Sequence, residues 1–123
     1  MVICVCQRDI LDLALDCGIQ DYPFWSNSDR RVTSGDIDSA LETNDLMAPN
    51  DDRDPNTPMI AEQHAARVAW LIRHGELEKM VITIRGRRIV DGNHRFAACL
   101  HVGIEWINCV VMDSPATQEV VAA

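Results

Sequence analysis

The stretch Ile89-Val90-Asp91-Gly92-Asn93-His94-Arg95-Phe96-Ala97-Ala98 decides how this chain is read. Two branched apolar residues end a strand. A glycine lets the backbone turn closely, and helix-forming residues follow. The first amides of such a helix have no partner within it, and the helix dipole adds partial positive charge at the same place. Asn93, His94 and Arg95 bring further donors. The pattern predicts an anion cradle, with phosphate as the anion. The arginine fork matches two phosphate oxygens, and a bound phosphate would raise the pKa of His94. Asp91 is the odd member, because a carboxylate beside an anion needs a cation between them or a role as a base. Mg²⁺ held by Asp91 and substrate phosphates satisfies both. A plainer reading stands beside this one: Asp91 caps the helix, and Arg95 pairs with Asp91 or Glu105.

Upstream of the turn, Met80–Arg85 alternates like a strand, Arg85-Gly86-Arg87 reads as a hairpin turn, and Arg88–Val90 returns. Before them lies the clearest helix. Thr57 is its expected N-cap and Pro58 its first residue, with Ile60, Ala61, Ala65, Val68, Leu71 and Ile72 as the apolar stripe and Gly75 as the stop. Downstream, His94–Val102 forms the second helix, stopped by Gly103, and Trp106–Met112 is a last strand. Nearer the start, Val2–Cys6 reads as a strand. Asp9–Cys17 reads as a helix with Ile10, Leu13, Ala14 and Cys17 on one face and Gly18 after its end. Residues 19–35 read as a loop in which Tyr22, Phe24 and Trp25 pack beneath the chain. Ser34 is the expected cap of a short helix over Asp36–Thr43. Residues 48–57 form a polar connection, and Asp51-Asp52-Arg53-Asp54 within it reads as a solvated loop. Residues 114–123 read as a flexible tail. The fold class expected is α+β, a small mixed sheet with packed helices in one domain over residues 1–113.

With 123 residues, the chain has room for one domain. Its net charge is −8, but the charge is uneven. Residues 1–58 hold four basic and twelve acidic side chains; residues 73–95 hold six basic and three acidic. A long polyanion is repelled by the whole, since nucleic-acid binding needs several phosphates neutralised, while a small anion is accepted locally. No apolar run approaches the ~20 residues of a membrane span. The start of the chain has no basic region ahead of its apolar run, which argues against a secretory signal and for the cytoplasm. Five cysteines, an odd number, read as reduced thiols rather than a disulfide framework. Cys4-x-Cys6 and the four histidines have no metal-like spacing.

From Pro58 to Val111 the chain resembles the ParB/sulfiredoxin-like superfamily, whose members set a helix and a strand pair before a Gly-x-His-Arg-type turn and helix, followed by a short strand. Here that signature is Gly92-Asn93-His94-Arg95-Phe96-Ala97-Ala98. Residues 1–57 carry no part of the resemblance. Sulfiredoxins have a nucleophilic cysteine where this chain has Asn93, and an amide cannot form a covalent sulfur intermediate. ParB partition proteins hold CTP phosphates with a stretch similar to Gly92–Arg95, but also use DNA-binding and dimerisation regions that find no match here. Free serine kinases of this fold carry an Asp-Gly-His-His-Arg stretch close to Asp91–Arg95, with the aspartate in the active site. Some plasmid and phage members are nucleases.

The resemblance implies a nucleotide, ATP or CTP, with its phosphates at Gly92, Asn93, His94 and Arg95. His64 and Arg67, three apart on the preceding helix, are candidates for outer phosphate contacts. Asp91 and His94 are the candidate catalytic residues, and Asp91 the candidate Mg²⁺ ligand. The expected activity is nucleotide hydrolysis or phosphoryl transfer to a small molecule. One alternative is a non-catalytic phage or plasmid accessory protein that meets a basic host protein with its acidic half. The other is a ParB-like nuclease or DNA-partition factor, against which the charge counts.

Overall fold

The computed structural model describes residues 3–49 and 58–112. Four strands form one mixed sheet: β1 (Ile3–Asp9), β2 (Val81–Arg85), β3 (Arg88–Asp91) and β4 (Trp106–Met112), in the order β1-β4-β2-β3. β1 runs antiparallel to β4, β4 parallel to β2, and β2 antiparallel to β3. The helices are α1 (Ile10–Asp16), α2 (Ser34–Thr43), α3 (Ala61–His74) and α4 (Asn93–Val102), with a 3₁₀ turn at Leu77–Lys79. The small α+β architecture expected from the sequence is the one found. Thr57, the Asp51–Asp54 run and the tail beyond 113 lie outside the described residues.

Alternation along the strands sets the layers. Ile82 and Ile84 of β2 and Ile107 and Cys109 of β4 are buried, and their neighbours are more exposed. Ile10 and Leu13 of α1 and Phe96 and Cys99 of α4 close over that face. The other side of α4, Ala97 and Ala98, packs in a second cluster with Ala61, Ala65, Val68 and Leu71 of α3 and Ile37 of α2. Alanines on both helices allow close approach, so α4 is buried between the sheet and α3. The first half of the chain thus supplies an edge strand as well as helices.

Several boundaries differ from the sequence reading, each for a local reason. β1 continues to Asp9 because β4 offers it a seven-residue partner, from Ile3↔Met112 to Asp9↔Trp106. Asp9 then caps α1, its Oδ1 accepting from Leu11 N and Asp12 N at 3.0 Å. Thr33, not Ser34, caps α2, in a reciprocal capping box with Asp36. α3 begins at Ala61 rather than Pro58. The Gln63 side chain accepts from Ile60 N (3.0 Å), and Asp29 Oδ1 accepts from Ala61 N (2.9 Å). Ile60 is accordingly half exposed rather than part of the stripe.

Candidate functional site

The turn before α4 is shaped by backbone geometry. Gly92 has φ +95°, and a Cβ there would lie 2.9 Å from Ile82 Cγ2. Only glycine combines that left-handed conformation with so close an approach to β2. Asn93 Nδ2 donates back to Ile89 O at 3.4 Å, tying the first helical residue to β3.

The loop before α2 is held over α3 by a set of tethers. Asp29 caps Ala61, Asn27 O accepts from Met59 N (3.1 Å), and Arg30 forks onto Asp36 (2.7 and 2.9 Å) while reaching Glu62 (2.8 Å). Hydrogen bonding by the Ala61 amide lowers the pKa of Asp29, and the Arg30 fork holds Asp36 down to about 2. These contacts place Trp25 and Asn27 above His64.

There the two histidines meet. His64 Nδ1 lies 2.9 Å from His94 Nε2, and His64 Nε2 lies 3.1 Å from Asn27 Oδ1. The Trp25 indole stacks on both imidazoles, with ring centroids 4.7 Å away in each case. His64 is the one buried polar or charged residue among those described, at 1% exposure. Burial, then His64 and Arg67, hold the pKa of His94 down to about 3, so its ring is neutral at physiological pH.

Beside this pair opens a cavity of about 740 Å³. His64, His94, Asn93 and Arg67 line it, together with Phe24, Trp25 and Asn27 from the loop and Arg87 and Arg88 from the β2–β3 hairpin. Among the described residues, no carboxylate lines it. Arg67 Nε and Nη2 are fully buried. Cys17 also lines the wall; burial, then Asp16, push its thiol pKa up, so it keeps its proton.

The predicted residues are divided by this geometry. His64, Arg67, Asn93 and His94 come together at the cavity, and Gly92 sets the turn beneath them. Asp91 and Arg95 do not line the cavity. Arg95 Nη1 donates to Val81 O at 3.1 Å and lies 3.6 Å from Asp91 Oδ2, the plainer pairing foreseen for these two residues. Asp91 is 70% exposed. Asp91 is not part of the cavity wall, and among the described residues that wall offers no carboxylate. Among the described residues, no group of three His, Cys, Asp or Glu side chains could hold a metal.

Among the cavity residues to which the sequence assigns no site role are Phe24, Trp25, Asn27, Arg87 and Arg88. The basic stretch 73–95 held a signal for the two arginines. Trp25 packs as expected of that aromatic cluster, but on the histidine pair, while Phe24 stays 59% exposed with Arg31 5.2 Å from its ring centre. The three loop residues sit in a segment without periodicity and carry no local signal.

The fold and site define a small α+β protein with an arginine-lined cavity beside a stacked imidazole pair. No protein-family model matches the sequence, and neither a curated protein nor a solved structure matches the chain. Among the described residues, no helix is long and apolar enough to cross a membrane.

Proposed function

We propose that this chain is a nucleotide-binding protein of the ParB/sulfiredoxin-like kind, which receives the phosphates of ATP or CTP in the cavity beside the start of α4. One observation carries the reading: in a chain of net charge −8, the described residues that line the cavity include three arginines and no carboxylate. Local positive charge inside an acidic surface selects a small anion over a long one. Phe24 at the rim offers a face for a base. Phosphoryl transfer relies mainly on positioning and charge neutralisation, which arginines supply. Any Mg²⁺ would arrive on the nucleotide's phosphates, and Asp91 is given no step. The cytoplasm is the compartment this reading implies.

The test is calorimetry with ATP and CTP, with and without Mg²⁺, followed by assay of released phosphate. Arg88→Ala and Arg67→Met should each weaken binding about tenfold or more. Unchanged affinity in both variants would remove the cavity as the phosphate site.

A second reading, an accessory protein docking a basic partner, has its own observation. A groove of about 610 Å³ is lined mostly by residues of the acidic half, Leu11, Ala14 and Ile19 among them, and by Leu100, with Leu11 68% exposed. It predicts a partner whose capture is lost at high salt and in Leu11→Ser. A partner retained by Leu11→Ser would exclude the groove.

A further inference from the structure

We propose that Cys6 and Cys109 form a redox modification site, joining as a cross-strand disulfide by exchange with a small disulfide such as oxidised glutathione. The pair lies in the sheet and owes nothing to the anion-binding reading above.

Register brings the two thiols together. β1 and β4 run antiparallel, and Cys6 lies directly opposite Cys109. Residues so paired point to the same side of the sheet. Cys109 is fully buried in the cluster beneath α1 and α4, and Cys6 packs against that cluster. Opposite residues of an antiparallel pair have Cα atoms about 4.5–5.5 Å apart, within the roughly 4.4–6.8 Å that a disulfide spans. Both cysteines are free thiols here and so open to pairing. The electrostatics agree with the register. The Cys109 thiol is pushed up to about 11, by burial first and then by Cys6; Arg8 opposes, and Cys17 adds less than Cys6. Of the thiols that act on Cys109, the one opposite it in the sheet weighs most.

The two partners divide the chemistry. Cys6 is half-buried on an edge strand, so a small reagent can reach it. Cys109 is sealed in the core, and its raised pKa keeps it from reacting with reagents outside. Exchange therefore begins at Cys6. Having given its proton to water, Cys6 attacks one sulfur of the reagent, forms a mixed disulfide and expels one small thiolate, which takes up a proton. Cys109 then gives its proton to water and attacks the Cys6 sulfur, expelling the second small thiolate, which is protonated in turn. The protein loses two electrons and two protons, and the reagent is reduced to two thiols. Proximity offsets the small thiolate fraction of Cys109, because the target sulfur is held opposite it. Among the described residues β1 has a neighbour on one side only, so it can shift slightly as the bond closes. The bridge ties the first described strand to the last, and a loop that long constrains the unfolded chain strongly.

The test uses the full chain, first reduced with a dithiol and then exposed to oxidised glutathione at about pH 8 without denaturant. The intact mass should fall by two hydrogens, and digestion should give a peptide pair joining Cys6 to Cys109. The linked chain should unfold roughly 10 °C higher than the reduced one. Cys6→Ser should lose both the linkage and the rise, whereas Cys4→Ser and Cys17→Ser should keep them. Should Cys6→Ser not fold, the peptide map of the parent decides. Any of four results overturns the inference: no modification, glutathione left on Cys6 without ring closure, linkage between any other pair, or linkage only in denaturant. A linked chain that melts no later than the reduced one overturns it as well.

Discussion

His64 and His94, thirty positions apart in sequence, share a hydrogen bond of 2.9 Å from Nδ1 to Nε2 beneath the indole of Trp25. His64 limits the charge His94 can carry. A proton added to His94 is disfavoured by burial, then by His64 and Arg67 beside it.

Acid should therefore loosen the fold earlier than carboxylate chemistry alone would. His94 is held at about 3 in the folded state against an ordinary value of 6.5. The unfolded chain binds more protons in that interval, so stability is complete above about 6.5 and falls as pH drops toward 3, by roughly 1 kcal/mol per pH unit for one such group. Urea midpoints measured between about pH 6 and 4.5 should decline, and His94→Phe should flatten the slope. A flat parent profile would show that the ring accepts its proton freely.

Asp36 acts in a lower window. The Arg30 fork and the Thr33 hydrogen bonds hold it near 2, below its ordinary 3.8. Its contribution is present above about pH 4 and lost as pH falls toward 2. Asp36→Ala removes both the fork and the capping box, and should cost about 1–2 kcal/mol at pH 7 in chemical denaturation.

Gly92 and Gly86 make a matched pair. Both have positive φ, +95° and +61°, but a Cβ at Gly92 meets Ile82 while one at Gly86 meets open space. Gly86→Ala should cost about 1 kcal/mol, and Gly92→Ala about 2–4 kcal/mol, by thermal or urea unfolding. Equal costs would mean that the α4 turn can lift away from β2.

Arg88 and Arg95 should separate binding from structure. Arg88 lines the cavity, whereas Arg95 is turned to Val81 O and Asp91. Arg88→Ala should weaken phosphate binding about tenfold and leave stability within about 0.5 kcal/mol. Arg95→Ala should cost about 1 kcal/mol of stability and keep its affinity for phosphate. The reverse pattern in calorimetry and unfolding would place the anion on the other side of α4.

The elements best read from sequence carry their own local signals. The α4 turn announces itself through a glycine between a β-branched pair and a helix, and the β2–β3 hairpin through Gly86. The start of α3 misled because Thr57-Pro58 is a sound helix opening, yet Asp29, from a distant loop, provides the cap. The site was half legible for the same reason. Asn93 and His94 belong to the turn, and His64 and Arg67 to one face of α3. Arg95 shares the motif, but the helical period turns it toward Val81. Trp25 and Asn27 are positioned only by tertiary tethers to Met59 and Ala61, which no spacing in their own segment encodes.

Among the described residues, β1 is an edge strand whose sole neighbour is β4, and the Gln7–Asn108 side-chain bond joins positions 101 apart. Of the described strands, the one synthesised first waits for the one synthesised last. Ile3 and Val5 pair with Met112 and Val110, so this edge of the described sheet cannot close before β4 is in place.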